Sequence, residues 1–386
     1  MITYNRQSLD HLDQQQQARD AFEKKLITQE EYDRIRAARP YQFYLPDPFI
    51  RIGLFLLTVV AAACGLGLFL LGALGGGEMS MSIVTILFGV ICIFVLEVFI
   101  HQRKMYGAGV DDALLWIGAT LIFVGVQFYP NAGMSHTVES GLVLLLALLG
   151  MLRYLDHGMA LVAYGAFLCL IFFSVGSLGP VARSLLPFVV IGLSIAGYAL
   201  FTRLAARPKL RHYHSCLGIL RLATLISCYG AANYYIVREL NAVISGHPGP
   251  IALGWLWWTF TILIPIFYIL RGIRKKNTLF LWTGLALVAA TIFTIRNYYH
   301  LAPVELEMIL GGVILLAGVY GLTRYLRTPK YGFTAEAPDH PHALERLPVE
   351  GVILAESFSN VAAQPADPGV RFGGGTTGGG GAGGQF

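Results

Sequence analysis

Arg221 has the most chemical reach of any residue in this sequence, lying about one and a half helical turns inside an apolar run that opens at Cys216. A cation at that depth costs roughly 2.5 kcal/mol or more to insert, so it needs a counter-charge, water or a route to the headgroups. The carboxylates able to answer it are Glu97, in an earlier apolar run, and Asp111 and Asp112, at the start of the next. Paired with one of these, Arg221 would build an intramembrane polar site. The competing reading is that its long side chain snorkels to the nearer headgroups. Thr224, Cys228, Ala232 and Tyr235 share its helical face, which places small and polar residues on one stripe. Such a stripe faces protein, either as a dry interface of small residues or as the wall of a wet cavity.

A second polar set lies toward the opposite ends of the apolar runs: Glu139, Arg183, Asn233, Arg238, Glu239, Arg296, Asn297, His300, Glu305 and Glu307. It is a candidate outer vestibule. The alternative is a solvated, mutually neutralised rim, because run ends are where charges cost least. Metal chemistry has little to stand on. Neither His300 with Glu305 and Glu307, nor His212-x-His214 near Cys216, has a recognised ligand spacing, and Asp156-His157 reads as the polar content of a tight turn. The paired aspartates, GxxxxGK[ST] loops and histidine-aspartate sets of membrane-embedded enzymes and ATPases are missing. Gly107-x-Gly109 is too short for a dinucleotide loop and follows a membrane helix. No catalytic residue, cofactor or metal is expected, and the chain reads as non-enzymatic.

The elements that hold these residues are ten apolar segments, at 50–74, 83–100, 113–129, 138–155, 159–175, 181–201, 216–237, 251–270, 279–295 and 304–325. A hydrocarbon core about 30 Å thick is crossed by roughly 20 apolar residues in helical form, which satisfies every backbone hydrogen bond internally. The expected fold is an all-α polytopic bundle. With 55% hydrophobic residues, 13% charged residues and a mean hydropathy of +0.60, the chain falls outside the soluble globular class. The net charge of +5 does not imply nucleic acid, because the basic residues sit in short clusters between apolar runs. The five cysteines lie in or beside those runs without a CxxC, so neither a disulfide framework nor a zinc site follows.

Charge sets the orientation. With the N-terminus inside, the inner loops collect Arg103, Lys104, Arg153, Arg203, Arg207, Lys209, Arg211, Arg271, Arg274, Lys275 and Lys276, against Arg183, Arg238 and Arg296 outside. Both termini are then cytoplasmic, which an even number of spans requires. Before the membrane, residues 8–26 and 28–38 read as a helical hairpin, its second helix opened by a Thr28-x-x-Glu31 capping box. The hairpin has too few apolar residues for a core of its own and is expected to dock on something. Pro40, Pro46 and Pro48 make the connector extended. The domains expected are therefore 1–48 (hairpin and connector), 49–327 (ten-span domain) and 328–386, a Pro- and Gly-rich tail expected to be disordered and cytoplasmic.

The hairpin stretch FEKKLITQEEYDRIRA, the proline-rich connector and the Ile-Gly-Leu-Phe-Leu opening of the first span resemble uncharacterised polytopic bacterial inner-membrane proteins of the predicted-membrane-protein type. The resemblance covers about the first 75 residues by motif. It implies a bacterial inner-membrane location and brings no activity or site residues with it.

Two functions fit. One is a membrane scaffold that recruits a cytoplasmic protein through residues 1–40 or the tail. The other is a small-solute or lipid permease, since ten spans divide as five plus five, the arithmetic of an inverted repeat. In that case the first and sixth spans, with Gly65 and Gly67 and with Pro187 and Gly192, are the ones to find interrupted. Close packing of small residues, with Ala61-x-x-x-Gly65, Gly72-x-x-x-Gly76 and Ala317-x-x-x-Gly321, is the simpler use of such positions. An intramembrane enzyme ranks third, with no motif in support.

Overall fold

A computed structural model describes residues 2–129, 133–245 and 253–298, and beyond them Val313, Leu316, Tyr320, Gly321 and Arg324. The chain divides into two compact units, Met1–Phe22 with Ile27–Ile314, and Glu23–Leu26 with Leu315–Phe386. In the second unit the described positions from Leu316 onward are helical, with Leu316 and Tyr320 exposed. The tail expected at 328–386 lies outside the described residues.

The first unit is all-α. It opens with α1 (Arg6–Glu23) and α2 (Gln29–Ala38), then runs through α3 (Pro48–Ala73), α4 (Gly77–Arg103), α5 (Val110–Gln127), α6 (His136–Tyr154) and α7 (His157–Gly176). It continues with α8 (Pro180–Ala205), α9 (His214–Ala232), α10 (Tyr234–Ser245), α11 (Gly254–Lys275) and α12 (Thr278–Tyr298). Among the described residues nine of these helices, all but α1, α2 and α10, are long and apolar enough to cross a bilayer. This is an integral membrane protein. The tenth expected segment, 304–325, falls almost wholly outside the described residues, and with it the even span count.

Short turns make antiparallel hairpins of neighbouring spans. Between α6 and α7 Leu155 takes a left-handed conformation (φ 58°), and Asp156 then caps α7 by accepting from the Met159 N–H at 2.6 Å. Between α11 and α12 the Asn277 N–H returns to the Gly272 carbonyl (2.9 Å) while its side chain accepts from the Leu279 N–H (3.0 Å), so one residue closes one helix and opens the next. The hairpin α4/α5 is the tightest. A Cβ on Gly118 would stand 2.7 Å from Ile93 and 3.1 Å from the Gly89 carbonyl, and Ser82 donates to the Gly125 carbonyl at 2.6 Å. The small-residue packing expected from spacing lies elsewhere in the chain than here: Gly65 abuts Phe88, but a Cβ on Gly72 would meet nothing within 4 Å among the described residues.

One condition of the permease reading is unmet, and one expected span is interrupted. The first and sixth spans, α3 and α8, are each one unbroken helix of 26 residues despite Gly65, Gly67, Pro187 and Gly192. The seventh, expected continuous over 216–237, breaks at Asn233, whose backbone is extended (φ −78°, ψ 128°). The Asn233 carboxamide oxygen accepts from the N–H groups of Tyr235 (2.9 Å) and Ile236 (3.3 Å) and so starts α10. Tyr235 is thereby removed from the stripe of Arg221.

The apolar core joins α4–α7 and α9 through Leu96, Leu115, Met151, Ala163 and Leu217, and it includes Tyr4 and Leu9 from the N-terminus. The hairpin thus docks on its own bundle: Leu9 and Leu12 of α1 are buried, and the capping box of α2 forms as expected. A smaller cluster of Leu225, Tyr229, Tyr268, Phe280 and Leu287 binds α9 to α11 and α12.

Candidate functional site

The carboxylates nominated for Arg221 all cluster at the end of the bundle that carries the N-terminal module, and all are taken. Glu97 Oε1, on the last turns of α4, accepts from Arg153 Nε (2.5 Å), the Tyr154 hydroxyl (2.6 Å) and Thr3 Oγ1 (3.5 Å). His101 Nδ1 lies 3.7 Å from its other oxygen. The Thr3 N–H donates to the Arg153 carbonyl at 3.1 Å, so the chain before α1 is tied into the same knot. Asp111 is buried in the first turn of α5 and accepts from the N–H groups of Gly107 (2.7 Å) and Ala108 (2.9 Å), holding the α4–α5 loop. Asp112 pairs with Arg51 of α3 at 2.6 Å. That loop passes so close to α3 that a Cβ on Gly109 (φ 89°) would meet the Arg51 carbonyl at 2.2 Å, which only glycine allows.

Around this knot the N-terminal module is fastened at several points. Asp10 of α1 pairs with Arg211, and His212 Nε2 lies 3.5 Å from its carboxylate. Tyr4 packs edge-on against Phe43 and Tyr106, and Tyr44 N–H donates to the Lys104 carbonyl (3.1 Å). Burial raises the phenol pKa of both Tyr4 and Tyr106, so neither ionises at physiological pH. Burial also raises the Asp156 carboxyl, against the lowering effect of its hydrogen bond from Met159. Between α1 and the α8–α9 connection lies a cavity of about 450 Å³, bordered by Asp13, Gln17, Arg207, Arg211 and His214 over Tyr106 and Leu155.

Arg221 itself stands apart from these carboxylates. Its Nε is buried without a hydrogen-bond partner, and the expected pairing with Glu97, Asp111 or Asp112 does not form. Thr224 donates to the Arg221 carbonyl (2.7 Å) rather than to its side chain. Thr224 and Cys228, both buried, border a cavity of about 420 Å³ with Ser194, Tyr268 and Arg271 and with apolar residues such as Ile195 and Phe267.

The structure also builds two neutral polar knots that hydropathy does not reveal. Tyr164 donates or accepts at Ser227 (2.6 Å), which in turn meets Ser194 (2.9 Å), joining α7, α8 and α9. Farther along α9, the Asn233 amide donates to the Tyr229 hydroxyl and Thr294 Oγ1, both at 2.9 Å, and Tyr229 meets Thr291 at 2.9 Å. Thr261 accepts from the Tyr234 N–H (2.9 Å), bringing α11 into the same knot. The available signal was hydroxyls recurring three residues apart, Thr224 with Ser227 and Thr291 with Thr294.

The set nominated as an outer vestibule is dispersed into local contacts. Glu139 accepts from His136 in its own turn (2.9 Å), Arg183 Nε donates to the Gly176 carbonyl (2.9 Å), and Arg238 sits over the Tyr298 ring at 5.0 Å. Asn233 is core. Arg183 borders a cleft of about 220 Å³ with Val237, Asn241 and Trp257. His300, Glu305 and Glu307 lie outside the described residues. Among the described residues no group of three or more metal-ligating side chains comes together. Compared with known proteins, the chain matches no family model, no curated protein and no solved structure.

Proposed function

We propose that this integral membrane protein is a scaffold, seated in a bacterial inner membrane with both termini cytoplasmic, that holds a charged helix at the membrane surface for a cytoplasmic protein partner. The observation that carries this reading is the contrast within the hairpin. Helix α1 is built into the bundle by Leu9, Leu12 and the Asp10–Arg211 pair, whereas no residue of α2 is buried. Glu30, Asp33, Arg34 and Arg36 of α2 project from a mount that the capping box and the Phe22–Tyr32 stack keep in place. The concentration of basic residues in the loops at the module end supports placing that end in the cytoplasm. A photoreactive residue at Arg34 tests it. In whole cells the scaffold reading expects one discrete protein adduct at that position, lost when Glu30, Asp33 and Arg36 are changed to alanine with the probe kept in place. Adducts to lipid or water alone, with a properly inserted chain, would defeat it.

A permease is the second reading, and the cavity at Thr224 and Cys228 is what favours it. It requires water to reach that cavity from one side. The unbroken α3 and α8, and the mutually satisfied hydroxyls of Tyr164, Ser194 and Ser227, support the scaffold instead.

A further inference from the structure

A groove of about 550 Å³ runs along the outer face of α4, α5 and α6. Its floor is lowered by Ala119 and Gly150, its sides are Val90, Phe94 and Leu149, and those three side chains are half exposed or more. From Val90 to Glu97 it spans seven residues of α4, about 10 Å of helix at the usual rise. In a chain of apolar spans, a surface of this kind meets acyl chains.

One end of the groove is unlike the rest. There Glu97, Arg153 and Tyr154 form its rim, at the level where α4 and α6 end and headgroups begin. Glu97 is spent: its carboxylate takes donors from Arg153, Tyr154 and Thr3. Arg153 is only half spent. Its Nε is fixed on Glu97, the Tyr154 hydroxyl lies beside it, and its side chain is 50% exposed, so the guanidinium is accessible from outside the bundle with a set orientation. A guanidinium fork presented in that way matches the oxygens of a phosphate.

We propose that this groove is a binding site for an anionic phospholipid of the surrounding bilayer, its phosphate on the terminal nitrogens of Arg153 and an acyl chain between Val90, Phe94 and Leu149. The Glu97 carboxylate positions the guanidinium. Because one of its oxygens holds Nε and Tyr154 together, the anion meets a cation whose counter-charge lies behind it rather than beside the phosphate. Lipid in this groove would brace α4 against α6 on the side where Phe94 and Leu149 are exposed among the described residues.

The test is native mass spectrometry of the full chain released from detergent and titrated with dioleoylphosphatidylglycerol. The expected result is one tightly held adduct per chain, weakened at least about fivefold in Val90→Phe, which fills the groove and leaves the Glu97–Arg153 pair alone, and as much in Arg153→Lys, which keeps the charge and loses the fork. Dioleoylphosphatidylcholine should bind less well, and glycerol 3-phosphate should fail to displace the lipid. Equal binding of the native chain and Val90→Phe would overturn the proposal, and should Arg153→Lys not fold, that variant alone decides. Displacement by glycerol 3-phosphate would assign Arg153 to a free anion instead. A cross-link from Leu149 to another protein would give the groove to a helix and also refute the lipid.

Discussion

The two ends of this bundle are held together by different chemistry. At the module end the ties are ionic: Glu97 with Arg153, Asp112 with Arg51, and Asp10 with Arg211. Toward the far end, the knot of Asn233, Tyr229, Thr291, Thr294 and Thr261 is made of hydrogen bonds between neutral groups. Exposure accounts for the difference. Arg153, Arg51 and Arg211 have at least half of their side chains accessible, so water and headgroups offset the cost of carrying charge. Asn233, Thr261 and Thr294 are 2% exposed or less, where an ion would be far costlier than an amide or hydroxyl that satisfies itself on a neighbouring helix. On the proposed scaffold reading, the surface that would meet a charged partner is at the ionic end, and the neutral end is a clamp.

The sharpest way to break the comparison is Asn233→Ala. It removes the cap of α10 and the donor shared by Tyr229 and Thr294, and should cost about 3 kcal/mol. Thermal melting in detergent would read this, with α10 becoming protease-sensitive at Arg238. Next is Glu97→Ala, which strands Arg153 and Tyr154 and should cost about 1.5 kcal/mol, discounted because Arg153 is already half in solvent. Salt separates the two ends. At 1 M salt the penalty of Glu97→Ala should shrink while that of Asn233→Ala stays, since screening acts on charges within reach of solvent. Equal salt sensitivity would dissolve the distinction.

Smaller again is Asp10→Asn, which should cost about 0.5 kcal/mol and appear as faster proteolysis within α1 while the spans stay protected. The smallest effect concerns Asp156. Burial raises its carboxyl pKa above the unfolded value, so the neutral acid contributes stability below about pH 4, and that contribution is lost as pH rises through the folded value. Asp156→Asn keeps an oxygen for the Met159 N–H and cannot ionise. It should melt level with or slightly above the native chain at pH 7, with the gap closing on acidification to about pH 4. A gap that widened instead would show the charged form to be the stabilising one.

Much of the architecture was legible because hydrophobic run length is a local property. The run at 159–175 became His157–Gly176, and that at 181–201 became Pro180–Ala205. What escaped was relational. Asn233 counted as one polar residue in an apolar window, yet its side chain competes with the helix for the backbone and wins, with a partner, Thr294, 61 residues away on α12. Glu97, Asp111 and Asp112 were recognised as unusual, but nothing local revealed that Arg153, a backbone loop and Arg51 would claim them before Arg221. The hydroxyls of Ser194 and Ser227 were hidden because hydropathy averages erase single polar atoms, and their pairing through Tyr164 exists only once three helices meet. Thr224 and Cys228, which spacing puts on one helical face, are both buried and border one cavity.

The central claim, a scaffold with a closed interior, is tested most directly at Cys228 in a chain whose other four cysteines are alanine. The thiol is buried beside Thr224 in the cavity of α8, α9 and α11. In membranes it should react slowly with a charged, water-soluble maleimide and readily with a membrane-permeant one that arrives through the lipid. Fast labelling by the charged reagent in an inserted, folded chain, slowed by a solute, would reveal an aqueous route to the middle of the bundle and contradict the scaffold in favour of a permease.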